Sequence, residues 1–148
     1  MKTSMKSLAW ACGLFTLVFS AYCPASLSAS AATEKSAKAE QGYKKIDAKE
    51  LKQWIDSGKK IEIIDARPKK FEDGAKIVGA RLLPYDSDEA AITKALPSKE
   101  STIVVYCAST KCPASTYLSQ QLVSMGYTHV YKYPGGIADW IEKKYPTR

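Results

Sequence analysis

Two cysteines that lie five residues apart could supply thiol chemistry. In the stretch VVYCASTKCPAS, residues 104–115, Cys107 ends an apolar run and Cys112 stands directly before a proline. A cysteine thiolate is a nucleophile, and a neighbouring thiol can form a disulfide with it or attack a sulfur atom that it carries. Three interpretations compete for this pair: a nucleophile with a partner thiol, a structural disulfide, and two inert buried thiols.

The N-terminus has the layout of a secretory signal peptide. Two lysines within the first six residues precede the uncharged, largely apolar run 8–23 and the small-residue stretch ASLSASAA. This order predicts a signal peptide over residues 1–31, with cleavage after Ala31. An uncleaved membrane anchor is the alternative, but the run is short for a span and Pro24 follows it. We therefore expect a periplasmic or secreted protein without stable membrane insertion after cleavage.

Removal of the signal peptide changes the cysteine count. Cys12 and Cys23 leave with the signal, so that Cys107 and Cys112 are the whole thiol content of the mature chain. A disulfide-stapled scaffold is excluded by this number, although an exported protein lies where disulfides persist. With His129 as the one histidine, a zinc site is not expected, and no cofactor is predicted.

The charge indicates small anionic ligands rather than nucleic acid. The formal charge falls from +7 to +5 on cleavage, because Lys2 and Lys6 are lost while all 15 acidic residues lie beyond residue 31. The remaining lysines are scattered in pairs such as Lys59-Lys60, which is typical of solvated surfaces. An exported protein has little nucleic acid to meet, so the surplus favours anionic ligands.

Hydrophobic periodicity predicts an α/β domain with a mostly parallel sheet flanked by helices. The small, polar residues 32–42 are expected to form a flexible linker to a domain over residues 43–148. Segments of strand type alternate with segments of helical spacing, which is the pattern of a three-layer α/β fold. The predicted strands are 61–66, 102–107 and 129–133, and the predicted helices begin at a capping box at Asp47, at about Pro113 and after Gly135-Gly136.

This fold would give Cys107 an anion-stabilising environment. Ligands of open α/β sheets bind beyond the carboxyl ends of strands, next to helix N-termini. Successive backbone N–H groups of a curled loop, with the dipole of the following helix, stabilise an anion and lower the pKa of a thiolate. The residues expected to form this cradle are Ala108, Ser109, Thr110, Lys111 and Cys112.

Four motifs in order resemble the rhodanese family over residues 43–145. Asp65-Ala66-Arg67 matches the aspartate-x-arginine at the end of an early strand, and Gly79-Ala80 closes a degenerate second motif. Cys107 opens the active-site loop, and GGIADW, residues 135–140, matches the glycine-glycine to tryptophan signature.

The resemblance implies sulfur transfer. By this resemblance, the protein would be a thiosulfate sulfurtransferase, in which Cys107 takes sulfane sulfur from a small anionic donor such as thiosulfate and holds it as a persulfide. The persulfide would pass its sulfur to cyanide or a thiol, with an exported protein as a possible partner. By the same resemblance, Asp65 and Arg67 support the loops behind the site and take no part in the chemistry.

Departures from the family pattern keep two other functions open. Family members often carry an arginine where Cys112 stands, and phosphatases of this fold need such an arginine, which argues against phosphatase activity here. Cys112 could resolve the Cys107 persulfide or protect Cys107 from overoxidation, or it could simply fill space. The alternatives are a thiol-disulfide redox protein that uses Cys107 and Cys112, and a non-catalytic rhodanese-like module that binds a partner or carries sulfur.

Overall fold

Strands and helices alternate along the chain, as a computed structural model shows for residues 42–71 and 74–148. The predicted signal peptide 1–31 and all of the predicted linker except Gly42 lie outside these ranges. The strands are β1 Lys44–Lys45, β2 Glu62–Asp65, β3 Arg81–Leu82, β4 Thr102–Tyr106 and β5 His129–Tyr133. The helices are α1 Ala48–Asp56, α2 Glu89–Ala95, α3 Ala114–Ser124 and α4 Gly136–Glu142, and a 3-10 turn covers Lys69–Phe71.

The strands form one parallel sheet in the order β1-β5-β4-β2-β3. β4 lies at the centre, where Val105 pairs with Ile64 of β2 on one side and with Lys132 of β5 on the other. A parallel strand covered on both faces has no polar side, which explains the continuous apolar run of β4. The predicted α/β class with a parallel central sheet is confirmed.

Helices cover both faces of the sheet. Successive side chains of a strand point to opposite faces, so the residues of β4 divide between two cores. Ile103 and Val105 pack with residues of α2 and α3, whereas Val104 and Tyr106 pack with residues of α1 and α4. Cys107, which follows β4, belongs to the first core and therefore faces α3.

Local signals account for the helix starts. The Asp47 carboxylate accepts a hydrogen bond from the Glu50 N–H at 2.8 Å, as the capping-box pattern predicts, and Asp88 caps α2 in the same way. α3 has Pro113 at its N-cap position and no capping side chain. The first N–H groups of α3, those of Ala114 and Ser115, therefore face the thiols and act on the sulfur atoms of Cys112 and Cys107.

Several elements have no counterpart among the sequence predictions. β1 and β3 are two-residue edge strands, too short to show any alternation, and α2 was not predicted. Trp140 is fully buried in the second core, and the His129 side chain is 51% exposed. In residues 42–71 and 74–148, no helix has the length and apolar character needed to cross a membrane.

Candidate active site

The Cys107 thiol lies directly beyond the carboxyl end of the central strand. Its residue is fully buried, and its Sγ lies 3.2 Å from the Ser115 hydroxyl oxygen. The thiol also contacts the carbonyl oxygens of Cys112, at 3.2 Å, and of Ser109, at 3.6 Å. A neutral thiol donates to carbonyl oxygens, so these contacts hold the protonated form of Cys107.

The loop after Cys107 curls into a turn before α3. The Cys112 N–H donates to the Ser109 carbonyl oxygen at 3.0 Å, which closes the turn. Pro113 then accepts hydrogen bonds from the N–H groups of Thr116 and Tyr117 at the start of α3. As a result, Cys112 lies just before the start of α3. It is half-buried, whereas Cys107 is fully buried.

The two thiols influence each other's ionisation in opposite directions. Burial raises the pKa of the Cys107 thiol, and hydrogen bonds with Ser115 offset only part of that effect. Burial acts on Cys112 as well, but the backbone N–H groups of Ala108 and Ala114, together with the Cys107 thiol, lower the pKa of Cys112 below its ordinary value. The first negative charge of the pair therefore resides at Cys112.

Helix α4 holds the start of the loop from the other side. The N–H of Ile137 donates to the Cys107 carbonyl oxygen at 2.9 Å, and the N–H of Ala138 donates to the Ala108 carbonyl oxygen at 3.0 Å. Gly136 has a φ of 66°, and a Cβ on it would lie 2.5 Å from the Cys107 carbonyl oxygen. Only glycine fits this close approach of two backbones.

A buried ion pair lies behind the loop. The Arg67 guanidinium donates through Nε and Nη2 to both carboxylate oxygens of Asp65, with a shortest distance of 2.6 Å, and the same Nη2 also donates to the Ala75 carbonyl oxygen. Tyr106 donates its hydroxyl to Asp65 at 3.2 Å and accepts from the Ile77 N–H. The Asp65 hydrogen bond raises the pKa of Arg67, so the guanidinium keeps its positive charge beside Asp65.

The rhodanese-like domain model matches residues 47–143. The chain belongs to the rhodanese-like domain family. This match contains Asp65, Arg67 and Cys107, together with the turn before α4.

Known relatives support the same assignment. The chain is 29% identical over 101 residues to the probable adenylyltransferase/sulfurtransferase MoeZ of Mycobacterium tuberculosis, covering 68% of this chain and 25% of that relative. It thus spans about a quarter of the length of the curated relatives it matches. The crystal structure of the BH2092 protein from Bacillus halodurans is similar with a TM-score of 0.65 and 26% identity, covering 72% of this chain and 77% of that chain. The rhodanese-like domain of the Alr3790 protein from Anabaena has a TM-score of 0.60 and 28% identity, covering 70% of this chain and 77% of that chain.

In this rhodanese-like domain, the proposed cradle residues differ in exposure. Ala108, Ser109 and Cys112 are half-buried, whereas Thr110 and Lys111 are exposed. The Cys112 N–H is used within the turn, and the N–H of Ala108 acts on the Cys112 sulfur. The backbone cradle around an ionised Cys107 therefore stays a prediction, but the expected lowering of the Cys107 pKa is wrong, because burial raises it.

Two residues at the site were missed by the sequence analysis. Ser115 is fully buried in the first turn of α3, and it follows Cys107 by eight residues. Its helical spacing with Leu118, Ser119 and Leu122 could have indicated a face turned toward the thiol. Lys132 of β5 reaches α3 only because β5 and β4 are neighbours in the sheet, a pairing that no local pattern encodes.

The two thiols and the charged groups around them determine which reactions the site can support. Within the two described ranges, no three His, Cys, Asp or Glu side chains lie together as metal ligands. The site offers a buried thiol, a more accessible thiol of lowered pKa and the open end of α3. These groups suit nucleophilic sulfur chemistry with exchange between two sulfur atoms.

Proposed function

We propose that this protein is a sulfurtransferase that carries sulfane sulfur on Cys107 as a persulfide. The observation that supports the proposal most directly is the position of Cys107, fully buried between the end of the central strand and the first turn of α3. Charge on a sulfur at such a position is stabilised by the helix dipole. The curated relative from Mycobacterium tuberculosis is itself a probable adenylyltransferase/sulfurtransferase.

Thiosulfate is the donor that we propose. The ionised sulfur of Cys107 attacks the outer sulfur of thiosulfate, the sulfur–sulfur bond of the donor breaks, and sulfite leaves with the electron pair. Cyanide or a thiolate then attacks the terminal sulfur of the persulfide, and the Cys107 thiolate returns. The Cys107 thiol gives up its proton to solvent before the first step, because the thiolate is the attacking form.

The experiment that tests this proposal measures sulfur on the protein. The purified protein is incubated with thiosulfate, and its intact mass is compared before and after cyanide is added. We expect wild type to gain the mass of one sulfur atom and to lose it to cyanide as thiocyanate. Cys107→Ser should fold, because serine can still hydrogen bond with Ser115, and should gain no mass; equal loading of this variant would refute the assignment.

A thiol-disulfide redox function is the second candidate. It is favoured by the linked ionisation of Cys107 and Cys112, since an accessible thiol of lowered pKa next to a buried one is typical of dithiol redox sites. A redox protein would form and release a Cys107–Cys112 disulfide against a thiol buffer and would gain no sulfur from thiosulfate. A module without catalysis would do neither, so the two measurements separate all three functions.

We further propose that the protein is exported and acts in the periplasm or outside the cell. The support is the order of lysines, apolar run and small residues at the N-terminus. N-terminal sequencing of the mature protein from a producing bacterium tests this, with a start at Ala32 expected. An intact N-terminus in the cytoplasmic fraction would contradict it.

A further inference from the structure

Lys132 occupies a place in the sheet from which its side chain faces the thiols. In the parallel pairing of β4 with β5, Lys132 is opposite Val105, and Cys107 lies two residues beyond Val105 on the same face. On its other side, Lys132 pairs with Lys45 of β1. Two lysine side chains thus stand beside each other on the face that carries Cys107.

The Lys132 ammonium is anchored to α3. It donates a hydrogen bond to the Thr116 hydroxyl, and Thr116 is the neighbour of Ser115, which contacts the Cys107 sulfur. Lys132 is half-buried, and no carboxylate forms an ion pair with it in the part of the chain that the structure describes. Its bonded partner is a neutral hydroxyl, so its positive charge is not compensated at short range.

The electrostatic neighbours of Lys132 are the two thiols and a second cation. Burial lowers the pKa of the Lys132 ammonium, and the nearby charge of Lys45 lowers it further, while negative charge on Cys107 and Cys112 raises it. A half-buried ammonium next to another lysine is costly unless an anion lies within reach. The groups that can supply this anion are the two sulfur atoms.

Other charged groups near the thiols do not replace Lys132. Arg67 acts on Cys107 from behind the loop, but Asp65 neutralises it through a bidentate contact, and Asp65 itself opposes ionisation of Cys112. Lys111 lies in the loop with an exposed side chain, where solvent and salt screen its charge. Among the described residues, Lys132 is therefore a half-buried cation without a carboxylate partner on the face of the sheet that carries Cys107.

We propose that Lys132 is the counter-ion of the anionic sulfur at Cys107 and Cys112, held in position by Thr116. It is a positioning residue: its ammonium stabilises the charge of the thiol pair at rest and, where the proposed function holds, the charge of the persulfide. The persulfide part rests on that function, whereas the thiolate part does not. The same charge would favour dianionic donors, because a thiolate and thiosulfate repel each other as they meet.

Alkylation of the thiols by the neutral reagent iodoacetamide tests the proposal without any sulfur donor. The rate is measured against pH, and peptide mass spectrometry assigns the label to Cys107 or Cys112. Lys132→Met keeps an unbranched side chain of similar length and removes the charge. We expect its alkylation profile to move to higher pH by about one pKa unit, so that the rate below neutral pH falls about tenfold.

Three further variants make the result specific. Lys132→Arg restores the charge and should return the profile toward wild type, and Thr116→Val removes the anchor and should give an intermediate shift. Lys49→Met is the matched control, since Lys49 is an exposed residue of α1 on the opposite face of the sheet. Its profile should coincide with that of wild type.

Two outcomes would overturn the proposal. One is a Lys132→Met profile that coincides with the wild-type and Lys49→Met profiles. The other is an equal shift in Lys132→Arg, which would assign the effect to packing. Thermal unfolding confirms that each variant is folded, and Lys132→Gln replaces Lys132→Met if the latter is not. If wild type takes up no sulfur from thiosulfate, the proposed function is refuted. The alkylation profiles would still test whether Lys132 stabilises the thiolates.

Discussion

The backbone N–H of Ile137 donates to the carbonyl oxygen of Cys107 at 2.9 Å, which fastens the first turn of α4 to the residue that carries the thiol. The contact is possible because Gly136 has no side chain and turns the chain with a positive φ. The glycine-rich turn thus supports the active-site loop, and it does so through its backbone.

Substituting Gly136 by alanine tests this frame. A positive φ costs a residue with a Cβ about 1–2 kcal/mol, and at Gly136 the added Cβ would also lie 2.5 Å from the Cys107 carbonyl oxygen. Gly126→Ala is the matched control, because Gly126 has a φ of 87° with nothing within 4 Å of the added Cβ. We expect Gly136→Ala to lose clearly more unfolding free energy than Gly126→Ala and to alter Cys107 alkylation. Equal losses in denaturant titrations and an unchanged alkylation rate would show that the contact is unimportant.

The buried pair of Asp65 and Arg67 should stabilise the fold far more than an exposed pair of the same length. Arg67→Met leaves a buried carboxylate without its partner, which costs about 3–5 kcal/mol. The control is Arg81→Met, because Arg81 contacts Glu62 at the same 2.6 Å while the two side chains are 49% and 38% exposed. An exposed pair contributes about 0–1 kcal/mol. Similar losses for the two variants in urea titrations would contradict the assigned role of burial.

Elements that depend on interactions between residues close in sequence could be predicted, whereas those that depend on pairing between distant segments could not. The strand 102–107 and the start of α1 depend on local patterns, namely a continuous apolar run and a capping aspartate, and both were predicted within a residue or two. β1 and β3 exist only because a neighbouring strand pairs with them, so two residues of sequence carry no signal. Lys132 was missed for the same reason, since its nearness to Cys107 arises from the pairing of β4 with β5.

The order of thiol ionisation is testable by pH. Burial raises the pKa of Cys107, whereas the backbone N–H groups and the Cys107 thiol together outweigh burial and lower the pKa of Cys112. Cys112 should therefore be alkylated at a lower pH than Cys107. Peptide mapping after short iodoacetamide pulses across neutral and alkaline pH measures this. Cys107→Ser and Cys112→Ser each isolate one profile. Labelling of Cys107 ahead of Cys112 would contradict the stated directions.

Lys111 has a smaller expected effect on donor choice. Its side chain is exposed in the loop, so Lys111→Ala should weaken the use of anionic donors such as thiosulfate a few-fold relative to uncharged sulfur donors. Loading rates read by intact mass in separate incubations with each donor give this ratio for wild type and for Lys111→Ala. A ratio equal to that of wild type would mean that Lys111 does not contribute to donor choice.

Cys112→Ser should retain sulfur loading of Cys107 and lose protection against oxidation. Peroxide converts the Cys107 thiolate to a sulfenic acid, and the Cys112 thiolate attacks that sulfur with loss of hydroxide, so that a disulfide forms before further oxidation. Serine removes the attacking sulfur and leaves the backbone N–H groups of the loop unchanged. We therefore expect wild type to form a reducible Cys107–Cys112 disulfide under brief peroxide pulses, while Cys112→Ser accumulates sulfinic and sulfonic Cys107.

If both proteins overoxidise at the same rate and no disulfide forms in wild type, Cys112 has no protective role. If Cys112→Ser cannot be loaded with sulfur, the thiol pair acts together in the transfer itself, in agreement with the low pKa of Cys112 and its linkage to Cys107.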